Sequence, residues 1–118
     1  MPTPSRPCSQ VLLHPEDGLR RVIDPQRIYY AEVVGGEVFI RLAGQKPRRD
    51  VRELGDLTHT LGKYGFVRIH HSYLVNPQHI QEIRRSKDNW EVKLAPPINT
   101  VLPVARRRLQ ELWAVFGE

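Results

Sequence analysis

The chain contains a single cysteine, Cys8, in 118 residues. One thiol cannot close an internal disulfide and cannot supply a cysteine-rich zinc site. No apolar stretch approaches the ~20 residues that a helix needs to cross a bilayer. The first residues, Met1-Pro-Thr-Pro-Ser-Arg-Pro7, lack the apolar segment of a secretory signal. Enzyme signatures are missing too: there is no GxxxxGK[ST], no GxGxxG and no GxSxG. Apart from Glu16-Asp17, the acidic residues are scattered singly among basic ones. The five histidines fall in no HExxH or HxH spacing, and within a strand His70 and His71 would point to opposite faces. These absences set aside catalysis, a resident metal and an organic cofactor. What is left is a small, basic, cytoplasmic domain that is expected not to be an enzyme.

What the chain does have is apolar material for one core and an excess of positive charge. Apolar residues make up 40% of it, and its length suits one domain. Eighteen Lys and Arg oppose 13 Asp and Glu, for a net charge of +5. The excess is segregated. Lys46 to Arg52, Arg84 to Lys87 and Arg106 to Arg108 net +3 each, so the rest of the chain nets −4. A solvated surface usually mixes its signs, so clustering of this kind points to a polyanionic partner.

Residues 1–9 hold three prolines and two serines without apolar periodicity, and read as a flexible lead or linker ahead of a domain spanning 10–118. Val11 to His14 and Leu19 to Ile23 read as short strands around a Pro/Gly turn. Asp24-Pro-Gln-Arg27 is a second turn, with Pro25 fixing φ for a helical corner. The next two runs, Ile28 to Val34 and Glu37 to Leu42, are rich in β-branched and aromatic residues. Only Gly35-Gly36 separates them, the pair that a type I′ hairpin turn favours. Residues 43–50 read as a loop or edge strand.

Val51, Leu54, Leu57, Leu61 and Tyr64 then recur at helical spacing, with Asp50 as N-cap, Glu53 completing a capping box and Gly65 as the stop. Phe66 to Asn76 reads as one strand closed by Pro77. Ile80 to Ile83, Trp90 to Leu94 and Thr100 to Leu102 are further strands. Pro103 then opens a last helix, with Ala105, Leu109, Leu112 and Phe116 on its apolar face and Trp113 beside them.

Two constellations can carry function. Arg106-Arg-Arg108 falls in the first turn of that last helix, where the macrodipole already disfavours cations by some tenths of a kcal/mol each. Either the core face outweighs this penalty, or the turn is an anion site in which backbone N–H groups and guanidinium forks meet a phosphate. Arginine can also fork onto guanine in a major groove. The second constellation is His70-His-Ser-Tyr73. Tyr73 and Leu74 suit a core, while one strand parity offers Arg68, His70 or Ser72 to solvent. His71 reaches outward only if the strand breaks there.

The segment Phe66-Val-Arg-Ile-His-His-Ser-Tyr-Leu-Val-Asn76, followed by Ile80, resembles the signature of LytTR-type DNA-binding domains, F-x-R-x-H-[RKN]-S-[YF]-[LV]-V-N and then isoleucine. Ile28-Tyr-Tyr-Ala-Glu32 ahead of the glycine pair resembles the family's I-x-[YF]-[IFA]-E strand. Leu54 to Leu61 is similar to its helix, and Leu102-Pro-Val-Ala-Arg-Arg107 to its terminal L-P-V-S-R-R. The likeness runs over residues 10 to 116. It implies a mostly β fold of short antiparallel sheets in an elongated arrangement, with one mid-chain helix and a C-terminal helix. It also implies a bacterial transcriptional regulator, of the response-regulator kind found in two-component systems, whose loops enter successive major grooves of double-stranded DNA.

Carried across, the resemblance places base contacts at Gly36, Glu37, His71, Arg106 and Arg107. The remaining clustered cations, Lys46, Arg48, Arg49, Arg84, Arg85, Lys87 and Arg108, are candidate phosphate contacts. Three positions depart from the family pattern. Gly36-Glu37 stands where Asn, His or a basic residue is frequent, His71 where Arg, Lys or Asn is usual, and Ala105 where Ser is usual. Family members also suggest a homodimer on repeated half-sites and a receiver or sensor domain ahead of this one. The rival reading is a basic β-domain that binds a protein or dimerises without DNA. RNA binding through Tyr29, Tyr30 and Phe39 is a third, although in the hairpin these aromatics suit a core.

Overall fold

The computed structural model describes residues 10–118; residues 1–9, expected to form the lead, lie outside them. The centre of the molecule is a five-stranded antiparallel sheet. Its strands are β3 (Ile28–Val34), β4 (Glu37–Leu42), β5 (Arg48–Asp50), β6 (Val67–His70) and β7 (Tyr73–Val75), in the order β5-β4-β3-β7-β6. The β3–β4 hairpin closes as expected, with Val34 opposite Glu37 and both turn glycines at positive φ, +58° and +82°. Those are the angles of a type I′ turn, whose twist matches that of the strands it joins.

One face of this sheet is covered by helix α1 (Leu54–Gly62) and by the two-stranded pair β1 (Val11–Leu13) and β2 (Arg21–Ile23). Val11, Leu13 and Ile23 join Ile28, Ala31, Ile40, Leu42 and Leu74 of the sheet and Leu54, Leu57 and Leu61 of the helix in one buried cluster. The other face carries a three-stranded sheet, order β10-β9-β8, built from β8 (Ile80–Ser86), β9 (Asn89–Leu94) and β10 (Val101–Val104), together with helix α2 (Leu109–Val115). Here Val92, Leu94, Leu102, Val104 and Leu112 meet Tyr30, Val67, Ile69 and Val75. Strand β3 is therefore buried on both sides. A register shift between Ile28 and Tyr30 turns Tyr29 and Tyr30 into the same core, with Ile28 and Ala31 in the other. Each fully buried aliphatic side chain contributes about 1.5–3 kcal/mol to holding these layers together.

Two short 3-10 turns lock the layers. Asp24 and Asn76 each precede a Pro-Gln pair, and each side chain accepts a hydrogen bond from the N–H two residues on, at 2.9 and 3.1 Å. The turns Pro25–Arg27 and Pro77–His79 lead straight into β3 and β8. Asn76, 2% exposed, also donates its Nδ2 to the Ile28 carbonyl at 3.1 Å and the Pro25 carbonyl at 3.5 Å. Beside it the His79 ring stacks on Tyr29, centroids 3.9 Å apart, and His79 Nε2–H donates to the Gln26 carbonyl. Tyr29 in turn donates its hydroxyl to the Pro96 carbonyl at 3.2 Å.

Several local expectations are corrected. Phe66 to Asn76 is not one strand: it breaks at His71-Ser72 into the β6–β7 hairpin, with His70 opposite Tyr73. Asp50 is not the cap of α1. It ends β5, is fully buried, and accepts hydrogen bonds from the His14 and Arg52 N–H groups and from the Arg52 guanidinium, all at 2.9–3.0 Å. The carboxylate is needed there to hold β1 against β5. Glu53 therefore occupies the cap position, without a side-chain bond, and Val51 lies exposed ahead of the helix. Gly65 does end this segment, at φ +91°. Pro103 belongs to β10 rather than to a helix, which an edge strand permits because one side of it needs no N–H donor. Helix α2 starts later, and Phe116 lies beyond it, 47% exposed rather than in the core.

Asn76→Ala removes an acceptor and two donor contacts from a buried junction, and should lower stability by about 1–3 kcal/mol. Urea unfolding would show this as a lower midpoint at unchanged slope; an unmoved midpoint would contradict it. Burial works against ionisation of Asp50, but its hydrogen bonds from Arg52 and His14 outweigh that and hold its pKa below the ordinary 3.8. The stability this confers is present above 3.8 and is lost as pH falls through the lowered value. Asp50→Asn should therefore be less stable than the wild type at neutral pH, with the gap closing on acidification below 3.8. A gap that persists in acid would disprove the assignment.

Candidate nucleic-acid interface

Strand directions bring three of the segments singled out in the sequence to one end of the central sheet. The Gly35-Gly36 turn is exposed, with open space where a Cβ would stand on either glycine. Glu37 follows it, and its carboxylate lies 3.4 Å from Arg49 Nε across β4 and β5. The His71-Ser72 turn sits beside the end of β3, because the Val33 N–H donates to the Ser72 carbonyl at 3.0 Å. The third segment, Arg106–Arg108, is anchored at the same end: the Ala105 N–H donates to the Ile69 carbonyl of β6 at 2.8 Å.

The His71 turn is held from both sides. The Ser72 N–H donates to His70 Nδ1 at 3.1 Å, so this nitrogen is the acceptor and the ring is neutral. Burial first, then electrostatic interaction with His71, Arg68 and Arg108, holds the His70 pKa below 6.5, which favours that neutral form. From the other side the Arg68 guanidinium donates to the carbonyls of both His70 and His71. Strand parity offered Arg68 to solvent; the structure turns it inward. With β6 ending at His70, the two histidine rings lie 4.3 Å apart rather than on opposite faces. His71 itself is exposed. Among the described residues no group of three or more His, Cys, Asp or Glu converges as a metal site.

The arginine triplet forms a 3-10 turn ahead of α2 rather than the helix's own first turn, and Ala105 at its start supplies no side-chain cap. Its members differ. Arg106 Nη2 donates to the Asp88 carbonyl at 3.3 Å, which ties this segment to the β8–β9 turn. Arg107 is exposed and free of acidic partners among the described residues. Arg108 is half-buried, 3.8 Å from Glu111, and its Nε is buried without a hydrogen bond among the described residues.

Through the Arg106–Asp88 contact the second basic cluster joins the same surface. Lys87 occupies the β8–β9 turn at φ +57°, and Arg85 is exposed beside it. Arg84 differs, being engaged by Glu91 at 2.8 Å and Glu82 at 3.2 Å. The first cluster is spent differently again. Arg52 is held by Asp50 and Arg49 by Glu37 and the Asp50 carbonyl, while Arg48 donates to Gln45 at 2.6 Å. Lys46 stands in the β4–β5 loop, at the far end of β4, about 17 Å along the strand from Glu37.

Two comparisons bear on this geometry. The family model of the LytTr DNA-binding domain matches residues 20–117. Among solved structures, the fold superimposes on the LytTr DNA-binding domain of a putative methyl-accepting/DNA response regulator from Bacillus cereus. That match has a TM-score of 0.75 at 19% identity and covers 95% of this chain and 100% of the other. Among curated proteins no significant match was found. The order of motifs, the three small antiparallel sheets and a family match over most of its length together show that the chain belongs to the LytTR DNA-binding domain family.

Proposed function

We propose that this domain binds double-stranded DNA sequence-specifically, as the DNA-reading part of a bacterial transcriptional regulator of the response-regulator kind. Membership of the family supports DNA binding in transcription regulation. The finer reading rests on one observation: the Gly35-Gly36-Glu37 turn, the His71 turn and Arg106-Arg107 emerge together at one end of the sheet. In this reading His71, Arg106 and Arg107 meet base edges. Gly36 lets the backbone approach closely, and Glu37 is an acceptor already ion-paired with Arg49.

Phosphate contacts then divide by what each cation already holds. Arg85 and Lys87 flank the reading turns and are the main backbone contacts, while Arg108, half-buried and paired with Glu111, is a lesser one. Arg84, Arg49 and Arg48 have partners within the chain and contribute less, and Lys46 meets only DNA that extends past the far end of β4. Two copies on repeated half-sites complete the proposal.

Engagement of about six phosphates would make log K fall against log salt with a slope near −5. A salt-insensitive complex, or no enriched duplex in a selection from random sequences, would overturn the reading. Arg106→Ala should relax sequence preference at one position and cost about 1–3 kcal/mol on the selected site. Equal weakening on selected and random duplexes would make Arg106 a backbone anchor instead.

A further inference from the structure

Among the described residues near the reading turns, Arg68 is the arginine whose three nitrogens each donate a hydrogen bond within the protein. Nε donates to the His70 carbonyl at 2.8 Å, Nη2 to the His71 carbonyl, and Nη1 to Thr58 Oγ1 at 3.3 Å. Thr58 sits in the middle of α1 and donates a hydrogen bond from its hydroxyl to the Leu54 carbonyl at 2.8 Å. Arg68 thus links the turn to the helix on the opposite strand face. It does so without a carboxylate partner among the described residues. Burial and the nearby Arg108 both oppose its charge, yet arginine stays protonated. A half-buried cation among cations is costly unless it is hydrogen-bonded; here neutral oxygens take one proton from each of its three nitrogens.

We propose that Arg68 is a positioning residue for DNA readout: its planar fork spans the two carbonyls of the His71 turn and Thr58, and so fixes where His71 stands relative to Arg106 and Arg107. The inference rests on the DNA-binding reading above but makes a separate claim. Arg68 touches no phosphate; it acts through the turn. Lysine keeps the charge but, with one ammonium on a flexible stem, cannot hold adjacent carbonyls and a hydroxyl at once. Charge and clamp therefore separate in a single substitution.

The test uses Arg68→Lys, Arg68→Ala and Thr58→Val, with amide hydrogen exchange and binding to selected and random duplexes. Arg68→Lys should speed exchange at the Ser72 and Tyr73 amides and lower affinity for the selected duplex about tenfold, leaving random-duplex affinity and the salt slope unchanged. In a His71→Ala background the same substitution should add little, because the turn would have nothing left to position. Thr58→Val should move both readouts in the same direction by less, and decides the matter if Arg68→Lys does not fold.

Three results would overturn the inference: unchanged exchange in Arg68→Lys, full additivity with His71→Ala, or wild-type binding by Arg68→Lys with a salt slope reduced by about one in Arg68→Ala. The last would make Arg68 a phosphate contact. If the wild type itself prefers no duplex, the DNA reading fails, while the exchange data still decide whether Arg68 holds the turn.

Discussion

Asn76 is where the two cores of this domain are joined. It ends β7 of the central sheet, caps the turn into β8 of the second sheet, and donates from its buried amide to the chain entering β3. A carboxamide is suited to this, since it both gives and accepts hydrogen bonds without carrying charge into a dry site. The Tyr29–His79 stack and the Tyr29 hydroxyl bond to Pro96 close the same junction. Fixing the angle between the sheets here also fixes, at the opposite end of the strands, the spacing between the His71 turn and the Arg106 turn. The end proposed to read DNA lies about a strand's length from this polar junction.

That division of labour explains the placement of charge. The net +5 is three clusters of +3 each set against −4 elsewhere, but the fold does not treat the clusters alike. The cluster around Arg49 and Arg52 is mostly consumed by Asp50 and Glu37, where it pins β5 and β1 to the sheet. The other two are brought together by the Arg106–Asp88 contact and leave Arg85, Lys87 and Arg107 exposed. A field concentrated on one end steers a polyanion to that end, so the usable charge is smaller than the composition suggests and better aimed.

Much of the architecture was legible in the residues. The β3–β4 hairpin follows from two β-rich runs around Gly35-Gly36, and the corner at Asp24-Pro25 from a capping side chain ahead of a proline. What escaped was decided by tertiary contacts. No glycine or proline marks the break at His71-Ser72, where Arg68 and the Val33 N–H of β3 bond the turn carbonyls, so the run reads as one strand. Asp50 has the local pattern of a helix cap, yet His14, close to it only in the fold, and its near neighbour Arg52 claim its oxygens. Pro103 looks like a helix start until its strand is known to be an edge. The candidate site was named through the family signature, and its convergence at one end of the sheet became visible only with the register of β3, β4 and β7. Arg68 carries a signal, its place in that signature; parity sets it opposite Val67 and Ile69, as found, but does not show that carbonyls and Thr58 bind its guanidinium.

The central claim is that one end of the sheet faces DNA. An NMR titration of the labelled domain with its selected duplex tests it most directly. Amide shifts should concentrate at residues 35–37, 71–72, 85–88 and 105–108, and leave the β1–β2 pair undisturbed. Shifts centred on β1 and β2, or on the loop around Lys46 with the His71 turn unmoved, would contradict the account.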